Sequence, residues 1–225
     1  MNKTPVYLIS APIGSYLSDM ALASLQQIRA TTHLFIESRG RFIMKLTSKG
    51  YITDKHTLIP LDGDSLAIAR KLLASKNSFA ILADTGNPCF VDPGYDIVRH
   101  ILDECLDQVT LVPLGMSSAL DAALSMAGLD IQKFVFCGHF PENHLERPPS
   151  TGVPLVYYVA GGGVFEWSRL VATASNWKTI TLFRNIRDRD GGQIYRWKNG
   201  DVLTPPQNDS NDNYVGIINL VGWDD

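Results

Sequence analysis

A chain of 225 residues, 45% hydrophobic and 19% charged, can bury a real core in one large domain or two small ones, as an ordinary soluble globular protein does. Its 23 acidic and 20 basic residues leave a net charge of −3 and a pI near 5.9, which excludes an overall basic field for recruiting nucleic acid. Three cysteines (Cys89, Cys105 and Cys137) without CxxC spacing read as reduced thiols, no apolar run reaches the length of a membrane span, and a cytoplasmic protein is expected.

The first apolar run, "PVYLIS" (5–10), is β-branched and aromatic and stops at "APIGSYLSD", so it reads as a buried strand entering a loop. "DMALASLQQIRA" carries Leu22, Leu25 and Ile28 at helical spacing behind Asp19. "THLFIES" is a strand ending at Glu37-Ser38, and "RFIMKLTSKG" is a helix with Gly50 as its C-cap. "DSLAIARKLLASK" is an amphipathic helix, "SFAILAD" a strand, "GYDIVRHILDECLD" a helix and "QVTLVPL" a strand. Strands alternating with helices predict βαβ units on a mostly parallel sheet. Beyond residue 112 the pattern turns mixed. The small-residue helix "GMSSALDAALSMAGL", the strand "FVFCGHF", the loop "PENHLERPPSTGV", the strand "PLVYYVA", the helix "VFEWSRLVATASN" and the strand "KTITLFRNI" lead to a closing strand, "YVGIINLVG". Gly191-Gly192 and Asn199-Gly200 are hairpin signals, and 204–213 reads as a surface loop. The expected fold is thus α/β in two domains, 1–112 with a mostly parallel sheet and 113–225 with a mixed one.

The familiar phosphate-binding and hydrolase motifs are missing: no GxxxxGK[ST], no GxGxxG after the first strand and no GxSxG. His139 and His144 flank Glu142 in a loop, which reads better as solvated than as a metal site, and no metal is expected. Three small-residue loops close successive strands: "APIG", "DTGNP" and "PLGMSS". Each alone is a turn, but three at corresponding strand ends point to a ligand crevice at the carboxyl edge of a parallel sheet.

These blocks carry a resemblance. "APIGSYLSDMALASLQQI", "ILADTGNPCFVDPGYDIVRHI", "VPLGMSSALDAALSMAGL" and "FVFCGHFP", in that order over residues 5–141, resemble the tetrapyrrole-methylase-like (class III) S-adenosylmethionine methyltransferases, nearest the ribosomal RNA small-subunit 2′-O-methyltransferase branch. The resemblance implies a two-domain protein, usually a homodimer, that binds S-adenosyl-L-methionine in the cleft between its domains. It carries cofactor contacts onto Pro12, Ile13 and Gly14, onto Gly86, Asn87, Pro88 and Phe90, onto Ser117 and Ser118, and onto Tyr158 and Arg184. The serines at a helix start would offer hydroxyls and amides to a carboxylate. Glu37, at a strand end, is the candidate general base, with capping or an ion pair to Arg39 or Arg41 as its structural alternative.

Departures from the pattern bear on the substrate. The Glu-Asp-Thr-Arg element of the branch is Glu37-Ser38-Arg39-Gly40 here, its Tyr-Glu-Ser-Pro is Tyr158-Val159-Ala160-Gly161, and its Arg-Glu-Leu-Thr-Lys keeps only Arg184. Charge favours a small molecule or a protein as methyl acceptor. Ribosomal RNA and a non-catalytic cofactor-binding protein are the alternatives.

Overall fold

The computed structural model describes residues 3–13, 16–140, 153–160, 163–172, 177–186, 192–204, 206 and 213–220. The chain divides into two compact units, Met1–Asp130 and Ile131–Asp225. The expected boundary at 112/113 falls short of this division. Strand β5 (Val109–Leu114) is still an edge of the first sheet, and the small-residue helix after it belongs to the same unit.

In the first unit, β1 (Thr4–Ile9), β2 (His33–Ile36), β3 (Thr57–Pro60), β4 (Phe79–Leu82) and β5 form one sheet in the order β3-β2-β4-β1-β5. Every neighbouring pair is parallel. The helices between them are α1 (Leu22–Ala30), α2 (Arg41–Ser48), α3 (Ser65–Ala74) and α4 (Tyr95–His100), the last continued by a π-helical turn over Ile101–Cys105. Central strands of such a sheet are buried on both faces, so β4 reads as an unbroken apolar run and all four of its residues are buried. Ile9, Leu34, Ile36 and Leu82 on one face pack with Leu25 and Ile28 of α1 and Phe42, Ile43 and Leu46 of α2. On β2 and β4, Phe35 and Phe79 meet edge to face with centroids 4.9 Å apart. The sequence reading passed over β3 because Ile59 is its only buried residue, as befits an edge strand without a two-sided apolar signal.

The second unit holds β6 (Val135–Phe140), β7 (Leu155–Ala160), β8 (Trp177–Arg184), β9 (Gln193–Lys198) and β10 (Asn213–Leu220) in the order β6-β7-β10-β8-β9. β6 runs parallel to β7, and the other pairs are antiparallel. Helix α6 (Val164–Ala172) sets Trp167 against this sheet, with Leu155, Tyr157, Ile180, Leu182 and Tyr214 in the same core. Gly216 is required there, because a Cβ would lie 2.4 Å from the Trp167 ring. β8 and β9 pair antiparallel on either side of the Gly191-Gly192 signal, of which Gly191 lies outside the described residues. The Asn199-Gly200 turn follows β9 but joins it to no partner strand, since β10 pairs with β7 and β8.

Candidate functional site

All three small-residue loops lie at the carboxyl ends of adjacent strands β4, β1 and β5, the same edge of the sheet. Two of them are fastened together. Past the end of β1, Ala11 N–H donates to Gly86 O (2.9 Å) and Gly86 N–H donates to Ala11 O (3.1 Å). The Ser10 hydroxyl donates to Asn87 Oδ1 at 2.5 Å, and Ser10 N–H donates to Leu114 O at the end of β5 at 3.0 Å. Residues from three separate stretches of chain therefore meet at one place. Asn87, Pro88 and Gly86 belong to this junction, and Phe90 sits half-buried beyond it. Pro12 continues from Ala11, while Ile13 projects into solvent at 93% exposure. Gly14 lies outside the described residues.

Backbone shape explains the double turn of 84–94. Gly86 (φ +70) and Gly94 (φ +104) occupy the left-handed region, and Gly94 caps α4 as the sequence suggested. Cys89 (φ 62) and Val91 (φ 66) occupy the same region without glycine's freedom. A Cβ on Gly86 would meet nothing within 4 Å, so its backbone faces open space.

At the serine loop the expectation needs refinement. Ser118 N-caps α5 (Ala119–Ser125) in a capping box, its hydroxyl accepting from Asp121 N–H (3.1 Å) and Asp121 Oδ2 accepting from Ser118 N–H (3.2 Å). The Ser117 hydroxyl also donates to Asp121 Oδ2, at 2.7 Å. Both hydroxyls thus have partners within the helix start, so a ligand carboxylate there would compete with Asp121.

Next to the junction stands a carboxylate group the sequence reading only partly anticipated. Glu37, at the end of β2, accepts from Asp84 N–H through Oε2 at 3.2 Å, and among the described residues no arginine pairs with it. The Ser38 hydroxyl donates to Asp84 Oδ2. At Gly40, where the family carries Arg, a Cβ would stand 2.9 Å from both Asp84 Oδ2 and Ser38 Oγ, so a side chain there requires those two side chains to shift. Burial, followed by the nearby charges of Glu37 and Asp84, pushes the Asp92 carboxyl up to about 6. Asp84 and Asp92 went unremarked as chemical groups in the sequence because each reads first as a turn residue; only the fold shows that they share a site with Glu37.

Tyr158 and Arg184 belong to the second unit, on β7 and β8, with β10 between them. Tyr158 is opposite Val215 and Arg184 opposite Tyr214. The Tyr158 ring packs edge-on against Phe136 at 5.1 Å and tilted against His139 at 5.1 Å. Arg184 Nη1 donates to Gln193 Oε1 at 3.0 Å, an oxygen it shares with the Tyr195 hydroxyl at 2.6 Å.

Among the described residues no group of His, Cys, Asp and Glu could hold a metal ion, and no helix is long and apolar enough to cross a membrane. His144 and Glu142 lie outside the described residues.

No family model matches the chain. It is 29% identical over 208 residues, 89% of its length, to "Ribosomal RNA small subunit methyltransferase I" of Rickettsia prowazekii (strain Madrid E), and covers 71% of that relative. Over 151 residues it is 32% identical to the protein of the same name from Vibrio cholerae serotype O1, matching 65% of its own length and 50% of the relative's. Across several of these relatives the chain spans less than two thirds of their length, 45% and 63% in two of them. Among solved structures, uroporphyrin-III C-methyltransferase from Thermus thermophilus complexed with S-adenosyl homocysteine aligns at TM-score 0.36 and 16% identity, covering 95% of this chain and 96% of that one. A diphthine synthase aligns at TM-score 0.34 and 11% identity, over 96% and 89%.

The chain thus has an α/β architecture with small-residue loops along one edge of a parallel sheet, and its sequence relatives are named methyltransferases. The chain resembles the tetrapyrrole-methylase-like, class III methyltransferases. The sequence relatives cited above carry the ribosomal RNA small-subunit name.

Proposed function

We propose that the chain binds S-adenosyl-L-methionine at the joined strand-end loops and transfers its methyl group to small-subunit ribosomal RNA. The fastening of Ala11 to Gly86 carries the cofactor half. It presents small residues and backbone groups from two loops at one strand edge, where ligands of parallel sheets gather. Two features of the site fit the group: open space over Gly86 that a side chain would fill, and a buried Asp84 Oδ1 without a partner among the described residues, facing a need for a donor or a positive charge. Pro12, Ile13 and Gly14, Gly86 through Phe90, and Ser117 and Ser118 would hold it.

When bound, the cofactor supplies a methyl group on a cationic sulfonium. What the protein's own residues supply is placement and charge. Aligning an acceptor with a bound electrophile can account for much of the acceleration of such a transfer. Glu37, oriented by the Asp84 amide, accepts the proton of an acceptor hydroxyl. The negative field of Glu37, Asp84 and Asp92 favours a cation at this edge.

The acceptor half draws on the names of the relatives, which outweigh the charge argument for a small molecule or a protein. A net charge of −3 still predicts that RNA is gripped locally and not by a general basic face. The enzyme is expected to act as a homodimer. Incubating the purified chain with methyl-labelled S-adenosylmethionine and small subunits from a deletion strain tests the reading. Label in small-subunit RNA supports it; label absent from that RNA while S-adenosylhomocysteine still binds overturns the acceptor.

A further inference from the structure

Two residues in the loop between β4 and α4 hold a backbone conformation that disfavours side chains, and they differ in what offsets it. Cys89 (φ 62) is 1% exposed, with Sγ tucked 3.1 Å from where a Cβ on Gly94 would stand, so its burial against α4 compensates the strain. Val91 (φ 66) has no such compensation. It is β-branched, the side-chain type that tolerates positive φ least, and it is 53% exposed. The same loop uses glycine at 86 and 94 where φ is positive, so glycine at 91 would be the unstrained choice. Backbone strain of this kind clusters at active sites and ligand clamps, where it serves function.

Resting on the reading that this loop holds the cofactor, we infer that Val91 is a ligand-contact residue, an apolar wall of the S-adenosylmethionine site kept at the expense of fold stability. It stands between Phe90 and Asp92, on the segment anchored to β1 through Gly86, and its isopropyl group faces solvent in the free protein. Closure over a bound cofactor removes those methyls from water. The class of ligand surface it fits is apolar, such as a purine face or the methylene groups beside a sulfonium, and not a carboxylate.

The test measures the free chain's melting temperature and its affinity for S-adenosylhomocysteine in the wild type and in Val91→Gly, Val91→Ala and Val91→Thr. Val91→Gly is expected to melt higher than wild type yet bind about tenfold more weakly, the worth of burying a valine side chain. Val91→Ala should lose affinity to a similar degree. Val91→Thr retains the β-branch and the strain, so its melting temperature should stay near wild type while affinity falls. Unchanged affinity in Val91→Gly and Val91→Ala overturns the inference and leaves the cofactor reading standing. Wild-type affinity in Val91→Thr beside a loss in Val91→Gly also overturns it, by assigning the effect to loop stiffness. A wild-type chain that binds no S-adenosylhomocysteine removes the cofactor reading and this inference together.

Discussion

Replacing Gly86 with valine separates the fold from the site more cleanly than any other single change. The new Cβ would meet nothing within 4 Å, so no clash arises, but φ stays at +70, where a β-branched residue is strained. A non-glycine residue in this region costs about 1–2 kcal/mol. The two Ala11–Gly86 hydrogen bonds use backbone groups alone and survive the substitution. For a chain of this size each kcal/mol moves the melting temperature by about 2–4 °C, which predicts a fall of about 2–8 °C with cooperative unfolding intact. Ligand binding should fare far worse, because the isopropyl group fills the space a cofactor needs. Titration calorimetry should show wild-type binding of S-adenosylhomocysteine in the micromolar range, on the order of −8 kcal/mol, and no heat for Gly86→Val at about 1 mM ligand. Gly86→Ala should fall between them. A Gly86→Val protein that binds as tightly as wild type would refute the placement of the cofactor over this glycine.

Ser118→Ala deletes the capping hydroxyl of α5 and should lower stability by about 1 kcal/mol in chemical denaturation, whereas Ser117→Ala, whose hydroxyl donates to the Asp121 side chain and not to the backbone cap, should cost less and act mainly on cofactor affinity. Asp92 has a folded pKa raised from 3.8 to about 6, so its contribution to stability is present below pH 4 and is lost as pH rises through 6; Asp92→Asn should flatten that part of the stability–pH curve, and an unchanged curve would contradict the carboxylate cluster. Glu37→Gln preserves the bond from the Asp84 amide and should reduce kcat by about 100-fold or more with cofactor affinity near wild type if the carboxylate takes the proton. Light scattering should give about twice 24.8 kDa for a homodimer, and a monomer would refute that expectation.

Much of the first unit could be read from the sequence because its helices and central strands carry strong apolar periodicity. β1, β4 and β5 were legible as short β-branched runs, and the loops after them stood out by their small residues. β3 was not, since an edge strand with one buried side chain leaves no pattern. The unit boundary was placed too early because a change in composition after Val112 looked like a change of domain, while Val109–Leu114 pairs along its whole length with β1. Within the site, Gly86, Asn87 and Pro88 were visible as turn formers. The grouping of Glu37 with Asp84 and Asp92 depends on β2 lying beside β4, a tertiary fact that no local window contains. The occupation of the Ser117 and Ser118 hydroxyls by Asp121 follows the capping-box spacing S-x-x-D, a signal present in the sequence but read there as ligand chemistry.

The strand order β3-β2-β4-β1-β5 also has a consequence for how the protein is made. β1 leaves the ribosome first, yet both of its partners come late, β4 ending at Leu82 and β5 at Leu114. At a synthesis rate of about 5–20 residues per second, the nascent chain carries "PVYLI" unpaired on both edges for about 4–15 s until β4 is made, and on one edge until β5 follows. A β-rich apolar segment exposed for that long is a target for chaperones and a seed for aggregation. Slowing translation between residues 10 and 79 should therefore lower soluble yield, while the same pause placed after residue 114 should not.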